Sequence, residues 1–454
     1  MSYRSINPYT KKVSATFKTL INDELIRRLH QAELAFTKWS RTSITDRAKL
    51  LDNIAALLEK EKSVHAEIMT SEMGKPISQS IAEVEKCAWL CRHYSENGAE
   101  FLKPLKLKST ARESEVWFEP SGIIFAVMPW NFPYWQVFRF IIPNLLAGNT
   151  GLLKHASNVP RCANAIEDLI LRSGAPEGTF MNLFVDYEQT QLIISHPAVQ
   201  GVTLTGSNKA GYRIAELAGR YGKKSVLELG GSDPYIVFES ADLKKSAETA
   251  VMARFQNNGQ SCIAAKRLFI QDKKFDDFLE LFNEAVLKIR IGDPMDPETL
   301  IGPLAREDLL TELEQLLKDI IKSGGRIITG GKRMAPDSQI LEPTIIIDLP
   351  EDSRILDQEL FGPIIPVFRF GSEEEAIQMA NDTPYGLGAS IWTRDEAQAR
   401  RVASQLQTGM VSINNMVKSE PALPFGGVKA SGYGRELSEF GIREFVNIKV
   451  VSFF

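Results

Sequence analysis

From about residue 122 onward, short β-rich runs alternate with helical stretches and Gly/Pro turns, and this alternation leaves few folds open. Examples are the runs at 122–128, 151–153, 202–205 and 235–238. Strands separated by helices predict an α/β architecture with largely parallel sheets. A second block of the same kind starts near Gly231 and extends to about Pro424. The first hundred residues read as helical instead. Leu50, Leu51, Ile54, Leu57 and Leu58 recur at helical spacing behind Ser43-Ile44-Thr45-Asp46, which has the form of a capping box. Met73-Gly74-Lys75-Pro76 interrupts, and 77–101 reads as helix again. At 454 residues the chain exceeds one compact core, so two or three domains are expected.

Charge narrows the partners. The net charge of -4, with no basic stripe, argues against nucleic acid. The 4 cysteines, Cys87, Cys91, Cys162 and Cys262, do not make a disulfide framework and fit a reducing compartment. Cys87 and Cys91 are expected as buried apolar residues and not as a metal pair, because two further ligands are missing nearby. The opening MSYRSINPYTKK has no apolar core for a signal peptide, and the run at 122–128 is too short to span a bilayer. A cytoplasmic enzyme with no metal and no membrane contact is the expectation.

Cys262 differs from the other cysteines in its neighbours. Phe255-Gln256-Asn257-Asn258-Gly259-Gln260-Ser261 sets amides and a glycine directly before it, the texture of a loop that brings backbone close to a ligand. A thiol here reads either as a nucleophile or as a buried group at a turn. Glu228 lies inside the apolar, strand-like Val226-Leu227-Glu228-Leu229-Gly230-Gly231. Burial there should raise its pKa toward that of a general base, unless it is a satisfied carboxylate at a strand end. None of the 5 histidines has triad or metal-ligand spacing, which favours a carboxylate base. Thr205-Gly206-Ser207-Asn208-Lys209-Ala210-Gly211 follows a strand-like run and opens a helical one, an arrangement that presents N–H groups to phosphate. Lys154 follows another such run and reads as a ribose or phosphate ligand or as an ordinary surface lysine.

Taken together these segments resemble the aldehyde dehydrogenase superfamily over nearly the whole chain. Asn7-Pro8, Pro129-Trp130-Asn131-Phe132-Pro133, Lys154, Thr205-Gly206-Ser207, Glu228-Leu229-Gly230-Gly231 and Gly259-Gln260-Ser261-Cys262 stand in the family's order. Glu359-Leu360-Phe361-Gly362-Pro363 and Pro424-Phe425-Gly426-Gly427 complete it. The resemblance implies an NAD(P)-binding Rossmann-like domain over 1–101 and 120–230 and a catalytic α/β domain over 231–425. It also implies a small β oligomerisation arm from 102–119 and 434–454, and a homodimer or homotetramer. It makes Cys262 the nucleophile, Glu228 the base that activates water, and Asn131 with the Cys262 N–H the oxyanion hole. It gives the cofactor Trp130, Lys154, Ser157, Thr205, Gly206, Ser207, Gly211, Leu229, Glu359 and Phe361.

Two further positions address selectivity. Strongly NAD-selective relatives often carry Glu where this chain has Ser157; its absence removes a charge that would repel a 2′-phosphate. NADP is therefore expected as the preferred cofactor, with NAD also used. Arg139 and Ser419 match positions where bacterial succinic-semialdehyde dehydrogenases hold the substrate carboxylate, and Gln256, Ser261 and Phe425 complete the expected substrate wall. Some relatives have a second arginine where this chain has Gln256, which points to a broader aldehyde range, including glutarate semialdehyde or medium-chain aldehydes. Arg139 also reads as a structural ion pair with a carboxylate from another helix. A catalytically silent member of the fold would lack Cys262, Glu228 or Asn131, and all three are present.

Overall fold

Residues 2–350 and 358–454 are described in a computed structural model. Two largely parallel sheets form where the alternating runs predict them. The first has 6 strands in the order Gly432–Tyr433, Lys224–Glu228, Val199–Thr205, Ile123–Met128, Thr150–His155, Phe180–Asn182. Only Gly432–Tyr433 is antiparallel to its neighbour. The second has 7, in the order Arg326–Thr329, Thr344–Ile347, Ile364–Phe370, Ala265–Gln271, Asp233–Val237, Gly388–Trp392, Met410–Ile413. Here the single antiparallel pairing is Arg326–Thr329 on Thr344–Ile347. The central strands are buried on both faces, so their sequences are continuous apolar runs and not alternating ones.

In the first sheet the chain adds strands on one side of Ile123–Met128 and then returns to place Val199–Thr205 on the other. The carboxyl ends of these two strands flank the switch point, where open parallel sheets bind ligands. The second sheet presents its amino ends to the same crevice: Cys262 precedes Ala265–Gln271, and Phe361 precedes Ile364–Phe370.

Across the crevice floor runs the helix Trp135–Ala147, buried at every position and apolar on nearly all sides. Its start is fixed electrostatically. Glu83 Oε1 accepts from the N–H groups of Tyr134 and Trp135, each at 2.9 Å, which offsets the positive end of the helix dipole. Glu83 is itself ion-paired with the fully buried Lys75, whose ammonium stands 3.9 Å over the Phe132 ring. A Cβ on Gly151 would lie 2.4 Å from Ile141 Cδ1, so any larger residue there would push that side chain aside where strand and helix meet.

The helical expectation for the first hundred residues holds from Asn22–Trp39 to Ile77–Phe101 but fails at the start. Ser2–Ile6 and Val13–Lys18 form an antiparallel hairpin. Asn7 closes it: its Oδ1 accepts from the N–H groups of Tyr9 and Thr10, both at 2.9 Å, a side-chain-driven turn that competes with helix. Ser43 caps Ile44–Lys60 by accepting from the Asp46 N–H at 3.1 Å. A third sheet joins Val446–Phe453, Glu113–Pro120 and Leu105–Leu107, all antiparallel.

Candidate active site

The loop before Cys262 is held in a conformation that explains its composition. Asn257, Asn258 and Gly259 all have left-handed backbone, with φ of 55°, 59° and 73°. Asparagine tolerates this region because its side chain can bond locally. The Asn257 amide donates to the carbonyls of Asn131 (2.7 Å) and Gln260 (3.0 Å). Asn258 donates to Gly74 and Pro303 at 3.0 and 2.8 Å and accepts from the Gly302 N–H at 2.8 Å. A Cβ on Gly259 would meet the Gly362 carbonyl carbon at 2.5 Å. Arg254, buried under the loop, donates to the carbonyls of Gly259, Leu360, Gly362 and Ile364, and burial lowers its pKa to about 9.

This loop sets the Cys262 thiol on the shared wall of two cavities. Burial pushes the thiol up to about 12, while Lys266 first and Arg139 second pull it down. Lys266 is fully buried and donates to the carbonyls of Ser261 and Cys262, both at 2.7 Å. It also pairs with Glu359 at 3.0 Å, which joins the cysteine loop to the second cavity. The other thiols, of Cys87, Cys91 and Cys162, are buried and pushed well up, as apolar residues should be.

Asn131 faces the loop from the end of Ile123–Met128. Its Oδ1 accepts from Gln136 at 3.1 Å, which turns its NH2 toward the carbonyl of Gln260 at 3.0 Å. One amide N–H remains unused, and the Cys262 backbone N–H donates to no protein group among the described residues.

The first cavity, of about 640 Å³, is walled by Arg139, Gln256, Ser261, Ser419 and Phe425. Arg139 stacks 4.4 Å over Phe425 and pairs with the buried Glu436 at 2.9 Å. Ser419 Oγ accepts from Trp135 Nε1 at 3.0 Å and from Lys86 at 2.9 Å.

The second cavity, of about 610 Å³, is walled by Trp130, Thr205, Gly206, Ser207, Leu229, Glu359 and Phe361. Trp130 and Phe361 meet edge to face at 5.7 Å. Ser207 caps the helix Asn208–Arg220 by accepting from Ala210 N–H, so the helix amino end opens into this space. Lys154 and Ser157 lie off that wall, at and just past the end of Thr150–His155. Burial lowers the pKa of Lys154, and no carboxylate is in ion-pair range of it among the described residues. Gly211 is also off the wall; a Cβ there would sit 2.4 Å from Leu229 Cδ2, so its place is in packing the helix onto Leu229.

Glu228 lies on neither cavity wall. It is buried with neither carboxyl oxygen hydrogen-bonded among the described residues, and it packs beside Gly426. Burial, then the nearby Glu436, pushes it well above the ordinary carboxylate range, against Arg139.

Lys86, Lys266, Arg254 and Glu436 escape a reading of the sequence. Only Lys266 leaves a trace there, as one of two adjacent cations, Lys266-Arg267, at the head of an apolar strand.

A family model described as aldehyde dehydrogenase family matches residues 1–451. A succinate-semialdehyde dehydrogenase NADP(+) 1 of Mycobacterium bovis is 46% identical over 456 residues, covering 99% of each chain. A succinate-semialdehyde dehydrogenase NADP(+) of Deinococcus radiodurans is 41% identical over 452 residues, covering 100% of this chain and 95% of that one. The crystal structure of succinic semialdehyde dehydrogenase from Streptococcus pyogenes in complex with NADP+ superposes with a TM-score of 0.97 at 39% identity, covering 99% of both chains.

Proposed function

The chain belongs to the aldehyde dehydrogenase family, and from that membership we propose that it oxidises succinic semialdehyde to succinate with NADP+ as the preferred hydride acceptor and NAD+ as the weaker one. The observation that carries the reading is the position of Cys262 on the wall common to both cavities.

The second cavity fits a dinucleotide. Thr205 Oγ1 is buried with no hydrogen-bond partner among the described residues, the amino end of Asn208–Arg220 suits a pyrophosphate, and Glu359 suits the nicotinamide ribose. Lys154 and Ser157 together suit a 2′-phosphate, the lysine by charge and the serine by a hydrogen bond. When bound, the nicotinamide supplies an acceptor for hydride from the substrate carbon.

The chain's own residues do the rest. The Cys262 thiolate forms a C–S bond to the aldehyde carbon, and the oxygen takes the negative charge. The spare Asn131 N–H and the Cys262 N–H are aimed to hold that oxyanion. After loss of hydride the C=O bond re-forms as a thioester. Water then attacks this carbon, the C–S bond breaks to release the Cys262 thiolate, and Glu228, in its ionised form, is the base that takes a proton from the water. Arg139 and Ser419 line the wall that receives the far carboxylate.

The exposed apolar strands support a homo-oligomer. Ile448 and Val450 are 60% and 67% exposed on Val446–Phe453, an edge strand that among the described residues pairs only with Glu113–Pro120. The free cysteines support a cytoplasmic setting. No helix among the described residues is long and apolar enough to cross a membrane. The test of the substrate is kcat/KM for succinic semialdehyde against butanal, at saturating NADP+. A preference for the acid supports the reading; equal values overturn it and leave an aldehyde dehydrogenase of other specificity.

A further inference from the structure

The charges around the first cavity do not cancel. Glu83 on its wall is ion-paired with Lys75, and Arg139 is ion-paired with Glu436. Lys86, half-buried on the same wall, has no carboxylate within ion-pair distance among the described residues. Its nearest partners are neutral: Ser419 Oγ at 2.9 Å and the Trp135 ring, whose centroid lies 4.3 Å away. The other charged residues on this wall are Lys418, which is exposed, and Glu420, which is half-buried.

The hydroxyl of Ser419 sharpens the picture. It accepts from both Lys86 Nζ and Trp135 Nε1, so its lone pairs are engaged and its proton remains to be donated. Lys86 uses one of its N–H groups there and keeps the others. A cation and a hydroxyl donor thus stand side by side on an otherwise largely apolar wall, the donor set a carboxylate requires.

We propose that Lys86 supplies the net positive charge that receives the substrate carboxylate, with the Ser419 hydroxyl donating beside it. Arg139 serves the same wall differently. Its Nε is buried with no hydrogen-bond partner among the described residues, and its charge is already offset by Glu436. Burial, and after it the neighbouring Arg139, pushes the Lys86 ammonium down to about 8, so an arriving carboxylate relieves a cation held out of water. This assignment rests on the ω-carboxy aldehyde reading above and names the residue that sets the specificity.

The experiment compares kcat/KM for succinic semialdehyde and butanal in wild type, Lys86→Met and Lys86→Arg, at saturating NADP+. Lys86→Met is expected to lose about 100-fold on succinic semialdehyde, through KM, with butanal within about threefold. Lys86→Arg is expected to retain most of the preference for the acid. A wild-type preference that survives in Lys86→Met overturns the assignment of Lys86 alone. A wild type with no preference overturns the substrate reading and this assignment with it. If Lys86→Met does not fold, Lys86→Gln, which keeps a neutral donor at Ser419, decides by the same ratio.

Discussion

Arg139 and Glu436 form a buried ion pair, Nη2 to Oε2 at 2.9 Å, with each side chain under a tenth exposed. Glu228 feels both, since Glu436 raises its pKa and Arg139 lowers it. Glu436→Gln should therefore have two separable effects. It strands the arginine charge, at a cost of about 3–5 kcal/mol in urea unfolding. It also removes a negative neighbour from Glu228, whose titration then moves down. The low-pH limb of thioester hydrolysis, followed in single turnover, should shift to lower pH. A limb that stays in place would show that Glu436 does not act on the base.

The Cys262 thiol carries its own pH signature. With a pKa near 12, the thiolate is a small fraction at neutral pH and grows about tenfold per pH unit. Alkylation of the cofactor-free enzyme by iodoacetamide should rise steadily from pH 7 to 9 without levelling. Cys262→Ala should abolish both labelling and turnover while nucleotide binding persists, because Cys87, Cys91 and Cys162 are buried. A plateau near pH 8 would mean that Lys266 and Arg139 outweigh burial at the thiol.

Ser157 controls the choice between cofactors if the 2′-phosphate lies beside it. Ser157→Glu places a carboxylate near that phosphate, and like charges a few ångströms apart near a protein surface repel by up to about 4 kcal/mol. The expected result is a loss of about 100-fold or more in kcat/KM for NADP+ with NAD+ within about threefold. Equal losses with both cofactors would place the phosphate elsewhere.

What the sequence makes legible is what lies close together along it. The amides and glycine before Cys262 stand out because that loop solves a local problem, consecutive left-handed residues, with local side chains. The parallel sheets are legible because buried strands must be apolar throughout. Lys86 is illegible for the opposite reason. It sits between Glu85 and Cys87 on a long helix, and its meaning comes from Ser419, 333 positions away. Glu436 likewise acquires its role only from Arg139. The N-terminal hairpin is hidden by its brevity: Val13, Ala15 and Phe17 alternate, but beside a long helical region the stronger period dominates the reading. The return of Gly432–Tyr433 to the first sheet, beside Lys224–Glu228, is equally hidden, because two residues carry no period.

Asn258 tests whether the loop before Cys262 is held by its own side chains. In Asn258→Ala the residue keeps a left-handed backbone at φ 59° without the side chain that tolerates it, at roughly 1–2 kcal/mol. It also loses the bonds to Gly74, Pro303 and Gly302, each worth about 1 kcal/mol. Urea unfolding should report a loss of roughly 4–5 kcal/mol in total. Asn258→Gly should recover only the backbone share, because glycine accepts the conformation and cannot replace the hydrogen bonds. These bonds tie the loop to the segments at Gly74 and 302–303, so Asn258→Ala should also lower kcat by letting Cys262 drift from the Asn131 amide. A variant with wild-type stability and kcat would mean that Arg254 and the close contact of Gly259 with Gly362 hold the loop unaided.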